Sequence, residues 1–223
     1  IKARNIFNDV TYEINDGSEN NLKIIDINVE ERPTGEISAG AGVGTSGGTI
    51  AFNIKENNWL GQGKSVGLEI QADEESLIGD FRYTDPNYNF LGNSITYSLL
   101  SERNDKPDLG FENSIIAAAV GTSFEQYKDI KVRLGLQASH DDLQTEDSAS
   151  ASLKKQNGTY SELTGNYGFT FDQRDKAFMP TSGSVISFGQ TIPLAADKAF
   201  IVNTISSSFY KSLSENIIGS TKI

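Results

Sequence analysis

Residues 30–60 have the sequence EERPTGEISAGAGVGTSGGTIAFNIKENNWL. Pro33 cannot donate a ladder hydrogen bond, so it suits the first residues of a strand. The limb that follows carries Gly35, Gly40, Gly42 and Gly44. The Gly47-Gly48 pair is typical of a tight hairpin turn. The return limb places three apolar residues on one face: Ile50, Phe52 and Ile54. A period of two residues on both sides of a turn predicts a β-hairpin.

The rest of the chain repeats this pattern. In nine further segments, apolar and polar residues alternate or most residues are small and apolar: 64–72, 77–84, 94–101, 114–124, 130–139, 159–171, 184–193, 200–209 and 217–223. The period over 200–209 is ambiguous, so the register of that strand stays open. With the first hairpin, these segments predict an all-β, antiparallel, up-and-down meander of about eleven strands.

The connections between the predicted strands are of two alternating kinds. One series is compact and often contains proline or aromatic residues: 57–63, 85–92, 125–129, 172–183 and 211–216. The other series is polar and variable in length: 45–48, 73–76, 102–112, 140–158 and 195–198. This asymmetry is typical of a transmembrane β-barrel, which has short periplasmic turns and longer outer loops. A soluble β-fold also has frequent turns, although its strands are usually shorter than these.

Charge on the second face of the strands favours the membrane barrel. Five charged residues lie opposite the apolar ones: Glu69, Asp80, Arg82, Arg133 and Glu162. Such residues suit a wet lumen better than a packed core, and strands of about ten residues can cross a bilayer with little net hydropathy. The longest uninterrupted apolar run covers only residues 115–120, too short for a spanning helix.

Composition excludes several classes of function. A formal net charge of -11 disfavours nucleic-acid partners, because no basic face is available to contact phosphates. The chain has no cysteine and one histidine, which removes thiolate nucleophiles and cysteine-based metal sites. We therefore expect no enzymatic activity, no catalytic residues, no cofactor and no metal site.

Four motifs are explained better by turns and loops than by sites. Residues 42–47 match GxGxxG and residues 58–65 end like a phosphate-binding loop, but a strand pattern follows each of them where the chemistry needs a helix. His140 begins an acidic loop that lacks the spacing of a calcium site. The cluster of Asp172, Arg174 and Asp175 is either an exposed turn stiffened by charge pairs or an interaction surface.

Residues 1–33 precede the meander. Residues 1–10 suggest the last turns of a helix, and residues 11–15 and 22–29 alternate around the turn signal Asp16-Gly17. One helix and two strands are too little to fold alone, so we interpret 1–33 as the tail of a small α+β module and the chain as a piece of a longer protein.

Four segments, in order, resemble the start of the barrel in the BamA family of outer-membrane protein assembly factors: VEERPTGEISAGAGVGTSGG, NNWLGQGKSV, YTDPNYNFLGNSI and FDQRDKAFMPTSGSVI. The resemblance covers nearly the whole chain. It implies that residues 1–33 are the C-terminal end of the last POTRA domain, in the periplasm. Residues 34–223 would then be the N-terminal part of a sixteen-stranded barrel in the bacterial outer membrane, cut before the sixth outer loop.

The resemblance also implies a function and a site. In this family the first barrel strand pairs weakly with the last, and the seam opens to admit client strands. That assigns client-strand binding to Gly35, Glu36, Ile37, Ser38, Ala39, Gly40, Ala41, Gly42, Val43 and Gly44. The expected partners are unfolded outer-membrane clients, accessory lipoproteins and lipid. Membrane-interface aromatics would be Trp59, Tyr88 and Phe90.

Several alternatives remain open at this point. The glycines of the first strand would also let a barrel wall bend. A TamA-like or two-partner-secretion translocator shares the resemblance. A passive porin-like channel fits the barrel, and a soluble all-β binding protein fits the alternation alone.

Overall fold

The computed structural model describes residues 6–19, 21–44, 47–89, 91–215 and 217–223. Two antiparallel sheets make up this part of the chain. The first is a hairpin of β1 (Phe7–Asp16) and β2 (Lys23–Glu31). The second has eleven strands: β3 (Gly35–Gly44), β4 (Gly47–Trp59), β5 (Lys64–Ala72), β6 (Ser76–Asp85), β7 (Ser94–Lys106), β8 (Phe111–Tyr127), β9 (Ile130–Thr145), β10 (Gly158–Asp172), β11 (Gly183–Ala196), β12 (Val202–Ser214) and β13 (Ile217–Lys222).

The helix expected over residues 1–10 is wrong from Phe7 onward, where β1 begins. Residues 1–5 lie outside the described residues. The physical reason is the alternation of Val10, Tyr12 and Ile14, which face Val29, Ile27 and Ile25 across the hairpin. Three matched apolar pairs stabilise a strand more than the local helical pattern stabilises a helix. The backbone N–H of Arg32 donates to the carbonyl of Ile6 at 3.2 Å and closes this hairpin at its base.

The eleven-stranded sheet is a simple meander in which each strand pairs with its sequence neighbours. Every pair is antiparallel, and β3 and β13 occupy its two edges. This confirms the predicted fold class and strand count. It also fixes the register of β12, which the sequence left open: Ile205 faces Phe188 and Phe209 faces Ser184.

The two faces of this sheet have different chemistry. On one face, a row runs from Ile54 through Leu68 and Phe81 to Leu99. On the other face, Glu69 lies opposite Asp80. Because adjacent side chains in a strand alternate in direction, this arrangement continues across the sheet as an apolar outer face and a polar inner face.

No second sheet covers the apolar face within the described ranges. Within the described ranges, on either face, only four apolar residues are buried: Ile6, Ala117, Val132 and Ala149. Large apolar side chains such as Leu99 (56% exposed) point away from the protein. A sandwich would bury them against a facing sheet. The architecture is therefore the wall of a β-barrel, as the sequence predicts. Among the residues that the structure describes, no helix has the length and apolar character needed to cross a membrane.

The connections differ at the two ends of the sheet. One end carries the connections that follow β4, β6, β8, β10 and β12, and we call it the turn side. The opposite end, which we call the loop side, carries a twelve-residue connection with the helix α1 (Ala151–Lys154). The Oγ of Ser150 caps this helix by accepting from the N–H of Leu153 at 3.3 Å.

The first hairpin turn is displaced from its predicted position. Gly44 pairs with Gly47, and Val43 pairs with Gly48, so both glycines of the predicted turn belong to β4. The two residues between the strands, 45 and 46, lie outside the described residues. Gly47 keeps the positive φ (88°) that the pattern predicts, but it does so as the first residue of the strand.

The turn 173–182 is held by its own side chains. The guanidinium of Arg174 donates to both oxygens of Asp172, at 2.8 and 2.6 Å. The carboxylate of Asp175 accepts from the N–H and hydroxyl of Thr181 and from the N–H of Ser182. These hydrogen bonds, chiefly the one from the Thr181 hydroxyl, lower the pKa of Asp175 to about 2. The charge cluster noted in the sequence therefore organises the turn.

The lowered pKa of Asp175 predicts a pH-dependent contribution to stability. A carboxyl group with a depressed pKa stabilises the folded state above its unfolded pKa and loses that contribution as the pH falls through its folded value. We expect the difference in thermal midpoint between the native chain and Asp175→Asn to be constant above about pH 4, the ordinary range for aspartate. It should disappear near pH 2, the pKa of Asp175 in the folded protein. A difference that stays constant down to pH 2 would contradict this assignment.

Candidate functional site at the edge of the first barrel strand

The ten residues predicted to bind client strands form one continuous element. All of them lie in β3, and each pairs with β4 without a bulge. Within the described chain, β3 has no strand on its other side. In an antiparallel pair, alternate residues direct their N–H and C=O groups away from the partner. About half of the main-chain groups of β3 therefore face the open edge, ready to pair with another strand.

Every residue of β3 is exposed. Its two large apolar side chains, Ile37 and Val43, are 74% and 93% exposed. Such an edge is normally blunted by charge, proline or a covering element. The only charged residue in β3 is Glu36. This edge is consequently suited to strand addition.

Three of the four glycines of β3 lie in open space. A Cβ atom at Gly40, Gly42 or Gly44 would meet no other atom within 4 Å. None of the three has a positive φ, so neither backbone geometry nor a close neighbour requires glycine at these positions. Each of these glycines costs about 0.5–1 kcal/mol of strand stability relative to alanine, because glycine loses more backbone freedom on folding. Each also offers no side chain to pack across the strands. These properties favour a weakly held strand over a bend in the wall.

The two ends of β3 are held very differently. Near Gly35, Thr34 is buried and its hydroxyl donates to the carboxylate of Glu56. Glu56 also accepts from the N–H of Asn58, near the end of β4, at 2.7 Å, which holds the carboxylate in place. At the opposite end Gly44 faces Gly47, and neither residue has a side chain to contribute. β3 is therefore anchored at the turn side and loosely packed at the loop side.

The anchor formed by Thr34 and Glu56 was not anticipated from the sequence. The two residues lie 22 positions apart, and only the register of the hairpin brings them together. Once Gly35 is placed opposite Glu56, the preceding residue, Thr34, falls within reach of that carboxylate.

The predicted interface aromatics lie on the turn side where the structure describes them. Trp59 ends β4 and is 45% exposed, and Tyr88 lies in the turn before β7 and is 47% exposed. Phe90 lies outside the described residues. Their contact with a membrane interface stays a prediction.

The structure also brings the single histidine beside a hydroxyl. Nδ1 of His140 lies 2.9 Å from Oγ of Ser161, its cross-strand neighbour. Both groups are exposed. Among the described residues, no carboxylate bonds the other imidazole nitrogen to orient the ring, as a catalytic triad requires. Among the residues that the structure describes, no three histidine, cysteine, aspartate or glutamate side chains are grouped so that they could hold a metal ion.

Comparison with known proteins supports the architecture. The model of the Omp85 superfamily domain matches residues 58–223. The outer membrane protein assembly factor BamA of Neorickettsia risticii is 26% identical over 171 residues, which are 74% of this chain and 23% of that protein. BamA of Neisseria meningitidis is 24% identical over 194 residues, 78% of this chain and 24% of that protein. The chain thus spans about a quarter of the length of these relatives.

Two solved structures share the fold. BamA from Haemophilus ducreyi lacking POTRA domains 1–3 superposes with a TM-score of 0.75 at 21% identity, over 96% of this chain and 44% of that one. CdiB from Acinetobacter baumannii gives a TM-score of 0.53 at 10% identity, over 98% and 44%. The family match covers most of the barrel wall. The chain is a BamA-like member of the Omp85 superfamily and forms part of its β-barrel.

Proposed function

We propose that this chain is the first part of the barrel wall of an outer-membrane assembly factor, and that incoming client strands pair with the open edge of β3. The observation that carries the proposal is an edge strand with exposed main-chain groups and three glycines in open space. A client strand that adds to this edge gains main-chain hydrogen bonds, as in β-augmentation. The chain then promotes insertion by templating strand formation, without a chemical step.

The uneven anchoring of β3 supports a direction for this event. The turn-side end stays fixed through Thr34 and Glu56, whereas the end near Gly44 has little to hold it. In the proposed mechanism, the edge opens from the loop side and stays attached at the turn side, so a client strand is added without loss of the barrel wall.

The cellular setting belongs to the same proposal. The proposed location of the barrel is the bacterial outer membrane, which the relatives named as outer membrane protein assembly factors support. The proposed location of residues 1–33 is the periplasmic side. The proposed partners are unfolded outer-membrane clients, accessory lipoproteins and the surrounding lipid. A translocator role, of the two-partner-secretion or TamA-like kind, is the second candidate, because such proteins share the sequence resemblance described above.

Reconstitution of the complete protein tests this function against a passive channel. Vesicles that contain the protein should fold an unfolded client barrel about tenfold faster or more than empty vesicles, which corresponds to a barrier lowered by about 1.4 kcal/mol. Folding is followed by gel electrophoresis, because the folded client barrel migrates differently from the same client after heating. Client folding at the rate of empty vesicles, together with steady ion conductance after deletion of the periplasmic module, would contradict the proposal and indicate a passive channel.

A further inference from the structure

One row of outward-facing residues crosses the wall diagonally. Pairing across six strands links Ile95, Thr122, Leu134, Tyr167, Gln190 and Asn203. Ile95 is the second residue of β7 and lies on the turn side. Asn203 is the second residue of β12 and lies on the loop side. The row therefore climbs from one rim of the barrel to the other, as the tilt of barrel strands requires.

A groove on the apolar face follows the turn-side part of this row, from Ile95 to Tyr167, and Gln190 and Asn203 lie beyond its lining. It has a volume of about 520 Å³ and a mainly apolar lining, with Tyr88 at its turn-side end. Gly165 forms part of its floor between Leu136 and Ile192. A bulge in β11 adds Leu194 as a wall, with Cδ1 3.5 Å from the Cβ position of Gly165. The volume falls in the range of small-molecule sites, about 300–1,000 Å³.

The loop-side end of the row is polar, which is unexpected on this face. The hydroxyl of Tyr167 donates to Oε1 of Gln190 at 2.8 Å, and Nε2 of Gln190 donates to Oδ1 of Asn203 at 2.6 Å. The amide N–H groups of Asn203 have no partner among the described residues. Polar groups that face hydrocarbon require hydrogen-bond partners, and water is scarce there. The row therefore ends in donors that need an acceptor.

We propose that this groove is a lipid site: an acyl chain lies along Leu136, Gly165 and Ile192, and an ester carbonyl of the same lipid accepts from Asn203. The groove is continuous with the face that the barrel presents to the bilayer, so the molecules that reach it first are lipids. An empty groove would forfeit dispersion contacts along its lining, which a flexible chain restores. A single amphiphile fills the apolar groove and also satisfies the donors of Asn203, which lie beyond the groove and connect to Tyr167 through Gln190. The inference rests on the membrane placement in the proposed function.

The test uses the complete protein in vesicles that contain a phosphatidylethanolamine with a photoreactive group in one acyl chain. After illumination, mass spectrometry maps the labelled residues. We expect labelling concentrated on the groove residues, at about fivefold or more above Phe52, an outward residue of β4 outside the groove, because the bound chain has more contacts there.

Two variants test the two parts of the site: one fills the groove, and the other removes the hydrogen-bond donor. Gly165→Leu places a branched side chain in the groove, and its first atom meets Leu194 at an ordinary contact distance of 3.5 Å. Asn203→Leu removes the donor and leaves the groove intact. Gly165→Leu should reduce groove labelling to the level of Phe52, and Asn203→Leu should reduce it by about half or more, since one of two kinds of contact is lost. Gly165→Ala is the milder variant if the leucine prevents folding.

The outcomes separate the site from the membrane placement. Equal labelling of the groove and Phe52, or groove labelling unchanged in Gly165→Leu and Gly165→Ala, would overturn the lipid site while leaving the barrel in the membrane. Labelling of neither region would contradict the membrane placement itself.

Discussion

Replacing both Gly40 and Gly42 with valine is expected to slow client capture by the complete protein about tenfold. Both positions have open space for a side chain. Each replacement adds about 0.5–1 kcal/mol of strand stability, and 1.4 kcal/mol corresponds to a factor of ten. Valines on β3 strengthen its pairing with whichever strand already occupies the edge. Exchange for a client strand then becomes slower, and thermal stability rises.

The matched control is the pair Gly67→Val and Gly189→Val. These glycines also have open space around them, but they lie in β5 and β11, inside the sheet. We expect a similar gain in thermal stability and no change in the rate of client folding. Equal slowing by both pairs would show that general rigidity of the barrel matters, and would contradict a special role for the first strand.

A proline scan of β3 should give an alternating pattern. Proline lacks the N–H group, so at positions whose N–H faces the open edge it removes a bond to the client strand and leaves the pairing with β4 intact. At the intervening positions it removes a bond to β4 instead. Across Ser38, Ala39, Gly40 and Ala41, every second variant should fold normally and lose client capture at least about tenfold, the effect of about 1.4 kcal/mol.

The two remaining proline variants, whose missing N–H group would pair with β4, serve as controls. They should lower the thermal stability of the barrel, because the ladder between β3 and β4 is interrupted. Client capture that falls evenly at all four positions, or at none, would mean that main-chain groups of this edge do not bind the client.

Much of the fold follows from the sequence because barrel strands are locally encoded. Alternation alone predicts β5 with its observed ends, at Lys64 and Ala72. Every connection joins neighbouring strands, so no long-range choice of partner has to be made. This is the condition under which a two-residue period is most informative.

The ends of the longer strands could not be predicted in the same way. β7 continues to Lys106 and β9 to Thr145, beyond the last apolar residue that the sequence pattern uses. Their terminal residues are polar and resemble loops, yet each pairs with a neighbouring strand that continues alongside it. Hydrogen bonding to that neighbour, which a single segment of sequence does not report, extends the strand.

The candidate site was predicted only in part. The position of β3 at the sheet edge follows from its place as the first strand of a meander. The open surroundings of Gly40, Gly42 and Gly44 depend on which side chains are absent around them, and only the structure shows that. The polar end of the outward row was missed for a related reason. Gln190 and Asn203 come together through the register of β11 and β12, which the ambiguous period of 200–209 did not supply.

Cysteine crosslinking measures whether β3 pairs with a client strand. Single cysteines are placed along positions 36–44 of the complete protein. Residues 1–223 contain no native cysteine that would compete for crosslinking. Matching cysteines are placed along the terminal strand of a client during its assembly. We expect strong disulfide adducts for cysteine pairs that match one antiparallel register, and weak adducts for pairs displaced from that register along either strand. Only background adducts at every position, while the same proteins remain active in assembly, would contradict it.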